Sequence, residues 1–160
     1  MYLVRSADYS GEKRMIRALF NGFVGAVALT TAHQALRRAL PDAPQLDRMG
    51  MKGVAKFCSA VGRTPPSGSS LFLFALLGDL FTNTLYFSRV GSKPGFGSIG
   101  RGISLGLSAG LGAAALPVML SFDNGARRRT RRTGALTVGL FLAGGLAAAL
   151  AAQCCPRTES

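Results

Sequence analysis

The feature that most constrains this 160-residue chain is where it carries no charge. Residues 18–36, 102–122 and 133–156 contain no Lys, Arg, Asp or Glu, and residues 64–88 contain one acid, Asp79. A helix needs about 20 mostly apolar residues to cross a bilayer core of about 30 Å. All four windows are near or above that length. Backbone polar groups in hydrocarbon must be satisfied within the spanning element, so each window reads as a helix. The pattern predicts spans at about 16–37, 69–89, 99–121 and 134–153. The expected fold is all-α: an integral membrane four-helix bundle forming a single membrane domain over residues 1–160.

Composition agrees. Charged residues are 16% of the chain, against roughly 25% in soluble domains, and the mean hydropathy is +0.28. These values exclude a disordered chain, a coiled coil and a nucleic-acid tail, and they disfavour a water-soluble enzyme. Two windows admit a second reading. The first also fits a signal peptide, with Lys13, Arg14 and Arg17 as its basic region and Ala26–Ala28 or Ala32 near a cleavage site. Its long apolar run ending at Arg37 and Arg38 favours a stop signal and hence a span. The Gly-rich third window also fits a loose hairpin, but its small residues recur at helical spacing.

The net charge of +12 would suit a nucleic-acid partner, yet its placement suits a membrane. All 19 basic residues lie outside the charge-poor windows. Loops 1 and 3 together carry eleven, and the tails with loop 2 carry eight. Short cytoplasmic loops concentrate Lys and Arg. The expectation is therefore that loops 1 and 3 are cytoplasmic and both termini outside, in a multi-pass protein of a bacterial inner membrane. The densest run, Arg127, Arg128, Arg129, Arg131 and Arg132, is expected to contact anionic lipid headgroups rather than RNA. Loop 1 carries apolar residues at Leu46, Met49, Val54, Phe57, Cys58 and Val61, the spacing of one helical face. This predicts an amphipathic helix at about 45–62, either lying in the membrane interface or capping the bundle ends.

Asp79 stands near the centre of the second window. A carboxylate there costs about 2.5–3.5 kcal/mol on insertion scales, so it normally faces protein or water. Asp79, Thr82, Asn83 and Tyr86 recur at i, i+3, i+4 and i+7 and form one polar stripe. With span centres near 26 and 79, Asn21 falls at the depth of Asn83, and a hydrogen bond between them is expected. On the same register His33 lies about 10 Å to the other side and is not an evident partner for Asp79, whereas Thr30 and Ser108 are closer in depth. Two roles fit Asp79: a buried carboxyl that bonds neighbouring helices, which is preferred, or a proton- or cation-binding group. His33 reads as a capped polar residue near a span end.

Gly102, Gly106 and Gly110 form a doubled small-xxx-small pattern, which lets helix backbones approach closely. They predict a tight seam, inside the bundle or between copies. Pro117 is expected to kink the end of that helix. No catalytic residue, metal site or cofactor site is indicated: Cys154 and Cys155 are adjacent, His33 is the lone histidine, and the glycines around Gly95–Gly97 lack a strand–helix context.

Two strings carry a resemblance. Ala43-Pro44-Gln45-Leu46-Asp47-Arg48-Met49-Gly50-Met51 and Gly78-Asp79-Leu80-Phe81-Thr82-Asn83-Thr84-Leu85-Tyr86 resemble a pattern found in small bacterial multi-span membrane proteins. The likeness covers residues 20–150 in outline. It implies four spans, and it implies no activity and no catalytic residues. The function expected is that of a small polytopic membrane protein of structural or accessory role, not an enzyme, with lipids and possible copies of itself or another membrane protein as partners. The alternative is a small proton- or cation-linked transporter or channel subunit using Asp79.

Overall fold

The structure, a computed structural model, describes residues 2–40, 43–119 and 131–154. Helix is the only regular structure among them. The elements are α1 (Tyr2–Ala39), α2 (Leu46–Ala60), α3 (Gly68–Phe87), α4 (Phe96–Met119) and α5 (Arg131–Cys154), with a 3₁₀ turn, Ser88–Val90, closing α3. Three stretches are long and apolar enough to cross a membrane: Gly11–Ala39, Gly68–Val90 and Arg131–Cys154. Helix α4 spans 24 residues and passes through Pro117 to its last residue, Met119.

Two of these elements stop for a visible local reason. α2 ends in a Schellman arrangement: the Gly62 amide bonds the Ser59 carbonyl and the Arg63 amide bonds the Cys58 carbonyl. Gly62 sits at φ +71°, a left-handed conformation that glycine adopts without a steric penalty. Pro65 and Pro66 follow and cannot continue the helix. The 3₁₀ turn ends at Gly91, whose φ of +89° again suits glycine and whose amide bonds the Ser88 carbonyl.

The long helices are packed side by side in the order α3, α1, α5, α4, with α2 laid against α3. α1 and α5 are the central pair. α3 and α4 flank them and touch one another little. The core lies where α1, α3 and α5 meet, around Leu29, Phe87, Val90, Phe141, Ala148, Ala149 and Ala152. Alternation of direction puts the C-terminal end of α1, all of α2 and the N-terminal end of α5 at one end of the molecule. The turn between α3 and α4 and the C-terminal end of α5 lie at the other.

Candidate functional site

Small residues bring the helices together. A Cβ on Gly102 would stand 2.4 Å from the Gly145 carbonyl oxygen, one on Gly106 would stand 2.8 Å from the Leu142 Cα, and one on Gly110 would stand 2.7 Å from the Val138 Cα. The three glycines therefore face α5 within the same chain rather than a second copy. Two further glycines, which sequence reasoning passed over, seat α1. A Cβ on Gly22 would meet the Thr84 carbonyl oxygen at 2.2 Å, and one on Gly25 would meet the Gly144 carbonyl oxygen at 2.7 Å. The signal was present in the small residues Gly22, Gly25 and Ala26, within a window whose polar residues drew the attention.

The Gly22 contact fixes the register of α1 against α3. Residue 22 is level with about residue 86, which brings residue 29 level with Asp79. This corrects the depth estimate made from span centres, by about three residues or ~4.5 Å. The expected Asn21–Asn83 bond falls with it. Asn21 lies beyond Asn83, and its Nδ2 donates to the Gly91 carbonyl at 2.9 Å. His33 is about one helical turn from Asp79 and within electrostatic reach of it.

The polar stripe on α3 divides. Asn83 is buried and donates to Asp79 Oδ1 at 3.0 Å. Thr82 is exposed and donates to the Gly78 carbonyl of its own helix at 2.7 Å. Tyr86 turns to α4, where its hydroxyl donates to the Leu105 carbonyl at 3.2 Å and lies 2.8 Å from Ser108 Oγ. Asp79 thus makes its hydrogen bond within its own helix and does not cross-link two. It is exposed on the flank of the bundle.

Asp79 also lines a pocket of about 30 Å³ where α1, α2 and α3 converge, together with Thr30, His33, Gln34 and Asp47. The α2 end of this pocket is held by two contacts. Buried His33 bonds through Nε2 to the Pro44 carbonyl at 2.8 Å, and Arg37 forms an ion pair with Asp47. Helix α2 then rests its Gly50 against Ala75 of α3. None of its residues is fully buried: Phe57 and Val61 remain exposed.

At the opposite end, Gln153 of α5 clamps the turn leading into α4. Its Oε1 accepts from the Gly95 amide at 3.0 Å, and its Nε2 donates to the Gly95 carbonyl and to Ser98 Oγ, each at 2.9 Å. This clamp was not anticipated from the sequence. Of the arginine run, Arg131 and Arg132 open α5 on its exposed side. Arg127, Arg128 and Arg129 lie outside the described residues. Among the described residues no three His, Cys, Asp or Glu side chains are grouped so as to hold a metal ion. Comparison with family models, with curated proteins and with solved structures finds no match to this chain.

Proposed function

We propose that the chain is a four-span integral membrane protein of structural or accessory role, with α1, α3, α4 and α5 as its spans and α2 lying in the interface. One observation carries this reading: the bundle is inside-out relative to a soluble one. Its closest backbone approaches are made at Gly22, Gly25, Gly102, Gly106, Gly144 and Gly145. Large apolar side chains such as Phe74, Phe81, Leu111 and Leu150 face outward, Phe81 with 66% and Leu150 with 61% of its surface exposed. In lipid, apolar side chains gain nothing by meeting one another, and close backbone approach through small residues becomes the means of association. The basic groups of α2 and the start of α5 suit the headgroup layer of an anionic membrane. The resemblance of the two strings to bacterial multi-span proteins supports an inner-membrane location. Extraction of membranes with alkaline carbonate tests the reading: the full chain stays in the pellet, and its release into the supernatant overturns it.

A second reading, a proton- or cation-linked subunit, has its own support in Asp79. A carboxyl kept only to bond neighbouring helices would reach across an interface, and this one does not. Asp79→Asn separates the two roles. For the accessory role, abundance and folding persist and no ion-linked activity is lost. A pH-driven flux in proteoliposomes that the substitution abolishes overturns it.

A further inference from the structure

Two residues that line the pocket beside Asp79 each bury a polar oxygen that nothing in the chain serves. Thr30 Oγ1 and Asp47 Oδ1 are buried without a hydrogen-bond partner, and both residues line it. Thr30 breaks a local rule: Ser59, Thr82, Ser104 and Thr137 each donate to the carbonyl four residues back. His33 bonds a carbonyl through Nε2. A carbonyl only accepts, so that nitrogen carries the hydrogen. Asp79 spends Oδ1 on Asn83, which leaves Oδ2. The charged and titratable groups around it are His33 and Arg37 from α1 and Asp47 from α2, with no other on the α3 face of the pocket. The fitting ligand is polar and small, since about 30 Å³ admits roughly two waters.

We infer that this pocket is a hydrated proton-binding site that connects Asp79 with the α2 end of the bundle. The inference rests on the ion-linked reading and narrows it to one ligand and one route. Toward the α2 end, Gln34 and Asp47 add polar groups to a lining that also holds Leu46 and Gly50. Toward the other end α1 and α3 close to backbone contact at Gly22. A proton arriving from the α2 side is taken up by a pocket water. That hydronium passes a proton to Asp79 Oδ2 and remains as water, and release reverses the step.

The test uses the full chain in liposomes with the pH set separately on the two faces. The α2 face is identified by reaction of Cys58 with an impermeant maleimide in a chain carrying Cys154→Ser and Cys155→Ser. Dicyclohexylcarbodiimide enters through lipid, reaches the exposed flank of Asp79 and couples to protonated carboxyls. The adduct is read by intact mass, with Asp79→Asn as the blank. The expected result is an adduct that falls on the order of tenfold per pH unit once the carboxyl ionises, as the α2 side alone is made alkaline. An adduct that follows the opposite face overturns the route and leaves the proton-binding role of Asp79 standing. An adduct suppressed by Na⁺ or K⁺ at fixed pH overturns the proton assignment in favour of a cation site. No adduct, or one indifferent to pH on both faces, overturns both.

Discussion

A single methyl group separates the glycines of this protein into two kinds. On Gly145 it would stand 2.1 Å from the Gly102 carbonyl oxygen, and neither backbone can give way without moving α4 from α5. On Gly139, in the same helix, it would meet nothing within 4 Å. Gly145→Ala is therefore expected to destabilise the bundle by about 1–3 kcal/mol, the usual range for overpacking. Gly139→Ala should stay within about 0.5 kcal/mol of the parent. Reversible unfolding in detergent micelles measures both, and equal effects would remove the packing argument. Tyr86 gives a smaller expectation. Its hydroxyl is the polar tie from α3 to α4, and interhelical hydrogen bonds in membranes average about 0.6 kcal/mol. Tyr86→Phe in the same assay is expected to lose about that much, and a loss several times larger would mean that the ring's packing had changed too.

At the scale of elements, the Gln153 clamp is the contact most open to test. Removing its amide takes the partner from the Gly95 N–H, a bond worth roughly 0.5–1.5 kcal/mol net. Gln153→Leu should speed hydrogen exchange at Gly95 while the amides of α5 near Phe141 keep their protection. Exchange that quickens along all of α5 would mean the clamp holds the helix and not the turn. Several helix ends were legible in the sequence where charge bounds an apolar run: the expected 69–89 and 134–153 lie close to Gly68–Phe87 and Arg131–Cys154, and the helix expected at 45–62 to Leu46–Ala60, whereas α1 begins at Tyr2, well before the expected residue 16. Partners were less legible. Spacing along a helix gives a residue's face and approximate depth, but the axial register between two helices depends on where their backbones touch. That point is Gly22, and a slip of one turn separated Asn21 from Asn83 and brought His33 toward Asp79. The Asp79 pocket was hidden for a related reason: its third wall comes from α2, whose placement over α1 and α3 depends on the His33–Pro44 bond, which no periodicity encodes.

The whole molecule makes a directional claim that its parts do not. Because α1, α3, α4 and α5 alternate in direction, Arg37, Arg38, the basic residues of α2, and Arg131 and Arg132 collect at one end. Arg89, Lys93 and Arg101 gather near the other. The positive-inside bias counts Lys and Arg in short loops and largely ignores acids, so the α2 end is expected to face the cytoplasm. The excess is modest, eleven basic residues against eight, and the basic N-terminal segment opposes it. Orientation is therefore a balance that few charges decide, whereas the pairing of ends is fixed by the fold. In a chain with its own three cysteines replaced by serine, Ser59→Cys and Arg131→Cys should react with an impermeant maleimide from the same face, and Lys93→Cys from the opposite one. Reaction of Ser59→Cys and Lys93→Cys from one face would contradict the alternation of spans, whichever way the protein sits. If the ends pair as expected but the α2 end proves external, the four-span arrangement stands and only the charge argument fails. The proton route would then open to the outside, since the pocket beneath α2 travels with that end of the bundle.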